Sequence, residues 1–302
     1  MTDLLGMVTD PLMQRALLAA VLVGLSAPVI GTYLVQRRLS LLGDGIGHVA
    51  LTGVALGWLV GSLTGLVPRD TLAVPGAVIA SIVGAVVIEL VRERGRTSGD
   101  VALAMMFYGG IAGGVLVIGL AGGTNANLMG YLFGSISTVS TADLVLTVAL
   151  CAVIFAVGLG LRTALFAVSH DEEFARASGL PVRFLNFAIA VVAALTVTVA
   201  MRVVGLLLVS ALMIVPVAVA QLVTGSFRRT MAVGMVIGLL AAVVGLSITW
   251  FHDAAPGATI VLLTIASYAL VAMVRPWVRG RSGEHRDPHP DLPDDVQLPT
   301  GG

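Results

Sequence analysis

Long apolar runs separated by short polar segments dominate the sequence. Nine such runs of about 18 to 25 residues recur along the chain, and at about 1.5 Å rise per residue each can cross a hydrocarbon core of about 30 Å. Backbone polar groups in lipid have no water to bind, so each run must satisfy them as a helix. The predicted spans are Leu12–Gln36, Leu39–Ser62, Thr71–Val91, Val101–Leu120, Ala142–Leu161, Phe184–Met201, Val203–Val223, Met231–Phe251 and Gly257–Val274.

The number of membrane crossings is left open between eight and nine. Residues 122–140 and 184–223 contain glycine and polar interruptions, which are tolerated where the backbone faces protein or a cavity. Composition agrees with lipid as the solvent, because 57% of the residues are hydrophobic, 11% are charged and the mean hydropathy is +1.01. The predicted fold class is therefore an all-α polytopic integral membrane protein with eight to nine transmembrane helices.

The arginine residues predict the orientation of the bundle, since short cytoplasmic loops hold an excess of basic residues. With the N-terminus outside, the nine spans place 14 arginines in the cytoplasm and only Arg15, Arg69 and Arg202 outside. The predicted transmembrane domain covers residues 1–275, and the C-terminus is cytoplasmic. Residues 276–302 are predicted to be a disordered cytoplasmic tail, because they are polar and contain too few apolar side chains to fold.

Two absences from the sequence restrict its chemistry. All 17 basic residues are arginine, and a chain without lysine has no Walker A motif for binding ATP. Any nucleotide-driven work must therefore come from another subunit. Cys151 is the only cysteine, which excludes an intrachain disulfide and a cysteine-based metal site.

Asp44 and His48 are the most informative polar residues, and they lie in a glycine-rich segment near the start of the second predicted span. Residues four apart on an α-helix are offset by about 40° and about 6 Å, so the two side chains share one face. A carboxylate in a membrane helix costs about 2.5 to 3.5 kcal/mol on insertion scales and usually marks a function. Carboxylate and imidazole groups are suitable ligands for zinc, manganese or ferrous iron.

Spacing alone leaves two interpretations of this pair open. It either binds a metal ion on a transport path or forms an Asp–His hydrogen bond that fixes helix packing. Two ligands are too few for a structural site, but a twofold axis would supply four.

Thr52 falls on the same face as Asp44 and His48 and is interpreted as a packing residue. Further along the span, a small-xxx-small ridge that predicts close helix packing is formed by Gly53, Gly57 and Gly61.

One connection between spans carries the signals of a short helix. Ser169 is predicted as the N-cap of a capping box with Glu172, and Gly179 with Pro181 supply stop signals. The predicted helix covers about residues 169–179. On these local signals, a solvated connector with no further function remains the alternative.

His252 and Asp253 are two further residues with ligand chemistry, in the predicted outer loop before Pro256. A metal ion arriving from outside would meet this loop first. Because His and Asp in loops are usually only solvated, an outer entrance for the metal and an ordinary loop are both kept as hypotheses.

Several segments, taken in order, resemble the membrane permease subunits of zinc, manganese and iron ATP-binding cassette (ABC) importers, the ABC-3 type. The resemblance covers about Pro11 to Val274, and His170 and Glu172 depart from the family's usual Asp-Pro-Glu-Phe pattern. The matching segments are GLSAPVIG at 24–31, VQRR at 35–38, LGD with His48 at 42–48, DEEFAR with Gly179 at 171–179, VGLLLVSAL with Pro216 at 204–216, and Asp253 with PGATI at 256–260.

The resemblance implies a type II importer-like permease that forms a homodimer, or pairs with a close paralogue, in the lipid bilayer. It further implies two cytoplasmic ATPase subunits, which bind the ATP, and an extracytoplasmic metal-binding protein as partners; no nucleic acid is expected. This chain would then be a transport subunit that is not an enzyme and has no cofactor of its own. Asp44 and His48 would lie on the metal path, with His252 and Asp253 at an outer entrance. The segment that would dock on the ATPase as a coupling helix consists of His170, Asp171, Glu172, Glu173, Phe174, Ala175 and Arg176.

The expected function is a permease subunit that moves a divalent transition metal ion into the bacterial cytoplasm by alternating access. Zinc and manganese are the first choices, and iron is the third. One alternative is a proton-coupled secondary metal transporter without an ATPase, in which Asp44 and His48 relay protons. The other is a membrane scaffold that moves no ion.

Overall fold

The structure is a computed structural model that describes residues 2–65, 71–94, 99–122, 130–134, 140–201, 205–206, 209–252 and 254–279, with side chains from residue 6 to residue 277. Within these ranges the chain consists of helices and short turns, without strands. The helices are α1 (Thr2–Thr9), α2 (Pro11–Gln36), α3 (Leu42–Leu63), α4 (Ala73–Arg94), α5 (Gly99–Leu120), α6 (Thr141–Gly160), α7 (Arg162–His170), α8 (Glu172–Ala177), α9 (Val182–Ala200), α10 (Val209–Val223), α11 (Phe227–Phe251) and α12 (Pro256–Arg279).

Eight helices in the described part of the chain are long and apolar enough to cross a membrane: α2, α3, α4, α5, α6, α9, α11 and α12. The remaining predicted span corresponds to α10, which is apolar but has only 15 residues. At about 1.5 Å per residue it is about 22 Å long, shorter than a hydrocarbon core. The prediction of an all-α polytopic membrane protein with eight to nine transmembrane helices is confirmed.

The continuous span predicted for Val203–Val223 is wrong, because the chain breaks before α10. Gly205 has a φ of +87°, a left-handed conformation that an α-helix does not use and that glycine adopts at little cost. The Leu206 N–H leaves the helical pattern and donates to the carbonyl oxygen of Tyr131 at 2.9 Å. A Cβ on residue 205 would overlap the main chain of residues 132–134, so α10 begins only at Val209.

The buried helix α2 lies at the centre of the bundle, packed mainly against α11, α10, α6 and α9, while α3 packs mainly between α4 and α5. The predicted glycine ridge accounts for the close approach of α3 and α4. A Cβ on Gly57 would overlap the carbonyl oxygen of Leu72, and one on Gly53 would overlap that of Gly76. The packing interpretation of this ridge is therefore confirmed.

Two short helices, α7 and α8, connect α6 to α9, and their boundary corrects the predicted capping box. Ser169 belongs to α7, and its buried hydroxyl has no hydrogen-bond partner among the described residues. Asp171 is the N-cap of α8 instead, because its backbone is extended and its carboxylate accepts the Phe174 N–H at 2.9 Å. The predicted stop is confirmed: Gly179 has a φ of +79°, and the Leu180 N–H donates to the Ala175 carbonyl at 3.1 Å.

The last helix extends beyond the predicted end of the transmembrane domain. α12 continues through Pro276 to Arg279, whereas the predicted boundary is residue 275. Apart from this extension, the predicted disordered tail at 276–302 lies outside the described residues.

Candidate functional site

Asp44 and His48 lie in the first two turns of α3, as the sequence predicts. Asp44 is half-buried in the first turn, and His48 is 4% exposed. Their separation of four residues places them on neighbouring turns of the same face. The helix therefore presents a carboxylate and an imidazole together inside the bundle.

The partner of Asp44 is Ser210, in the first turn of α10. The Ser210 hydroxyl donates to the Asp44 carboxylate across 166 residues of sequence. This contact joins the first turn of α3 to the first turn of α10. Sequence reasoning missed Ser210; the only local signal was a hydroxyl a few residues after Gly205.

Close packing brings the first turns of α3 and α10 together. A Cβ on Gly43 would stand 3.4 Å from the Ser210 Cβ and 3.8 Å from the Met213 sulfur. On the other side, a Cβ on Gly47 would stand 3.6 Å from the carbonyl oxygen of Leu206, in the break between α9 and α10. The site thus lies against the start of α10 and the turn at Gly205 and Leu206 that precedes it.

The His48 imidazole is held by α5 but keeps an unused nitrogen. Its ring meets Phe107 edge to face, with ring centroids 4.2 Å apart. The absence of a side chain on Gly110 lets α5 reach the main chain of His48. His48 Nδ1 is buried and has no hydrogen-bond partner among the described groups. An unpaired buried nitrogen is costly, and a bound ion or water is one way to satisfy it.

Thr52 faces α5 and not the unused nitrogen. Its hydroxyl donates to the carbonyl oxygen of Gly110 at 2.9 Å. This hydrogen bond joins α3 to α5, which agrees with the interpretation of Thr52 as a packing residue. No group of three or more His, Cys, Asp or Glu side chains able to hold a metal occurs within the described ranges. One chain therefore offers Asp44, His48 and the Ser210 hydroxyl.

The two residues of the predicted outer entrance are not brought to this site. His252 is exposed and ends α11, a helix that packs mainly on α2, α10 and α12. Asp253 lies outside the described residues. The entrance hypothesis for His252 and Asp253 stays a prediction.

The predicted coupling segment forms the surface of α8 and of the turn before it. Phe174 is 66% exposed, Glu173 and Arg176 are also exposed, and Ala175 is buried against the bundle. His170 ends α7, where its ring stacks on Phe166 and its Nδ1 lies 3.1 Å from the Gln36 side-chain nitrogen.

A cavity of about 1020 Å³ lies beside α8, between the end of α4 and the start of α9. Arg183 and Glu93 pair across it at 3.0 Å, and Arg176 pairs with Glu172 at 3.1 Å. The opposite charges on its walls are therefore largely matched within the chain.

Comparisons with known proteins cover almost all of the described chain. The model of a family described as the ABC 3 transport family matches residues 9–275. The manganese transport system membrane protein MntC of Halalkalibacterium halodurans is 30% identical over 264 residues, 87% of each chain. The chelated iron transport system membrane protein YfeD of Yersinia pestis is 31% identical over 87% of this chain and 85% of its own.

Solved structures show the same fold. PsaBC from Streptococcus pneumoniae, solved in complex with Fab, superposes with a TM-score of 0.80 at 29% identity, over 92% of this chain and 97% of that chain. A putative metal-chelate type ABC transporter in an inward-facing conformation gives a TM-score of 0.61 at 17% identity, over 90% of each chain, and shares the fold alone. The matched regions include α3, α7, α8 and α10.

Proposed function

This chain belongs to the ABC 3 transport family, and from that premise we propose that it is the permease subunit of an ABC importer for a divalent transition metal ion. The observation that carries the proposal is the pair Asp44 and His48 on one face of α3, against the first turn of α10. Ser210 orients the carboxylate, while the buried Nδ1 of His48 has no partner in the described chain. A metal cation satisfies both groups at once.

The donor set favours a metal that accepts oxygen and nitrogen ligands. One chain supplies a carboxylate, an imidazole and a nearby hydroxyl, and two copies about a twofold axis would supply two of each. Carboxylate and hydroxyl oxygens suit manganese, and imidazole suits iron and zinc. Relatives named for manganese and for chelated iron support manganese or iron as the cargo. The metal is cargo, and it binds when Asp44 is ionised and His48 is neutral, so binding weakens in acid.

Transport proceeds by alternating access in a bacterial cytoplasmic membrane. An extracytoplasmic binding protein delivers the metal, which stops at Asp44 and His48 near the axis of a permease pair. Two ATPase subunits dock on α8 from the cytoplasm, where the exposed Phe174 and its charged neighbours meet them. Closure of the ATPases moves α8 and opens the path inward, so this chain needs no nucleotide site of its own.

Reconstitution of the permease with its ATPase and binding protein in proteoliposomes tests this function. We expect uptake of manganese or iron that requires ATP on the side of the membrane where the ATPase subunits bind. Uptake should stop when ATP is replaced by a non-hydrolysable analogue. Metal uptake by the permease alone, driven by a pH gradient, would favour the proton-coupled alternative. Partner binding without any ion movement would favour a scaffold.

Replacing Ser210 with alanine is expected to weaken metal binding without preventing folding. Groups that hydrogen-bond a metal ligand typically contribute about 10- to 100-fold to metal affinity, so the metal concentration for half-maximal uptake should rise by about tenfold or more. Ser247→Ala is the matched control, because the Ser247 hydroxyl donates only to the Val243 carbonyl of its own helix at 2.8 Å. Equal half-saturation in the two variants would remove Ser210 from the site.

A further inference from the structure

The corner between α2 and α3 is tightly built. α2 ends at Gln36 and α3 begins at Leu42, and Arg38 between them has a φ of +57°. This left-handed conformation costs about 1 to 2 kcal/mol in a residue with a Cβ, so surrounding contacts must hold it. The Leu39 N–H donates to the Leu34 carbonyl at 2.8 Å, and the Leu42 N–H donates to the Leu39 carbonyl at 3.0 Å. A displacement of this corner is therefore passed on to the start of α3.

Two side-chain contacts tie this corner to the α7–α8 turn. Arg37 pairs with Glu172 at 3.6 Å, and the Gln36 side-chain nitrogen lies 3.1 Å from His170 Nδ1. The Arg37 side chain is only 6% exposed, and that of Glu172 is 41% exposed. The ion pair joins the C-terminus of α2 to the first turn of α8, where a cation and an anion are each favoured by the helix dipole.

Of the charged residues near Arg37, Glu172 is the one that forms an ion pair with it. Burial lowers the pKa of Arg37, the positive charge of Arg92 acts in the same direction, and Glu89 and Glu172 oppose both. Glu89 is itself buried and bonded to Arg92 at 3.1 Å. Glu89 is therefore already engaged within α4, and Glu172 is the carboxylate that pairs directly with Arg37, while it also pairs with Arg176 of its own helix at 3.1 Å.

We propose that the ion pair between Arg37 and Glu172 is the link through which α8 sets the position of Asp44. Arg37 is a positioning residue in this proposal, because it touches Glu172 on one side and begins the corner that leads to α3 on the other. The proposal rests on the proposed function for its role in transport. The physical link between the two segments does not depend on transport.

The first experiment measures the link in the purified full-length chain by amide hydrogen exchange. In Arg37→Gln, we expect amide exchange of residues 42–48, the first two turns of α3, to become about fivefold faster. An effect of this size lies within the range of coupling energies between contacting residues. Arg183→Gln is the matched control, since it breaks the shorter ion pair with Glu93 at the same end of the bundle without touching the corner. Unchanged exchange in Arg37→Gln would overturn the link, whether or not the chain transports metal.

The second experiment measures metal ions moved per ATP hydrolysed by the reconstituted complex. Arg37→Gln should lower this ratio by about fivefold, and Glu172→Gln by at least as much, because it also removes the pair with Arg176. The double variant should be no worse than Glu172→Gln alone, because the contact between Arg37 and Glu172 is already lost in that variant. Arg37→Lys keeps the charge and should recover most of the ratio. Additive losses in the double variant, or an unchanged ratio in Arg37→Gln, would overturn the proposed role. Absence of uptake by the unmodified complex would contradict the proposed function instead, and the exchange result would still decide the link.

Discussion

Replacement of Asp44 by asparagine is expected to abolish metal uptake while the bundle still folds. Asparagine has nearly the same shape and still accepts a hydrogen bond from Ser210, so the contact between α3 and α10 survives. It lacks the negative charge that a metal ligand needs. Loss of residues that merely support a ligand typically costs about 10- to 100-fold in affinity or activity, so loss of the ligand itself should cost no less. His48→Ala should have the same effect, because it removes the imidazole nitrogen.

Uptake and bound metal would be measured in the reconstituted complex, with assembly followed by size-exclusion chromatography. The matched control is Asp100→Asn. Asp100 is also an acidic residue in the first turn of a membrane helix, but it is exposed at the start of α5. Wild-type uptake in both Asp44→Asn and His48→Ala would remove this pair from the metal path.

Substitution of Gly110 with alanine is the second change from which we expect a large effect. A Cβ at this position would stand 2.6 Å from the His48 carbonyl oxygen and 2.7 Å from the Val49 nitrogen. Both atoms belong to the backbone of α3 and cannot turn aside, so α5 must move away. Overpacking of this kind costs about 1 to 3 kcal/mol, and the movement also shifts His48 and stretches the bond from Thr52 to the Gly110 carbonyl.

The neighbouring Gly109 supplies the control. A Cβ on Gly109 meets no atom within 4 Å, and alanine favours a helix over glycine by up to about 1 kcal/mol. Gly110→Ala should therefore melt at a lower temperature than the unmodified chain and transport poorly, whereas Gly109→Ala should match or exceed its stability. Equal melting temperatures for the two variants would contradict the close packing of α3 and α5 around His48.

The predictions that hold for the fold rest on local properties of the chain. The length of an apolar run decides whether a helix can cross lipid, and eight helices of the described chain meet that condition. Helical periodicity places Asp44 and His48 on one face without knowledge of any neighbour. Ser169 and Asp171 both have side chains that can cap a helix. Because α7 extends through Ser169, Asp171 is the N-cap of α8.

By itself, the sequence determined the class of fold, eight of the nine predicted spans, and the presence of a carboxylate and an imidazole side by side inside one of them. Only the tertiary structure decided that Ser210 meets Asp44, that His48 keeps a buried nitrogen without a described partner, and that Arg37 reaches Glu172. The physical reason is that apolar length and helical period are properties of neighbouring residues. Contacts between helices depend on which faces pack together, and in a chain of similar apolar helices that choice follows from glycine positions, breaks and shape across the whole bundle.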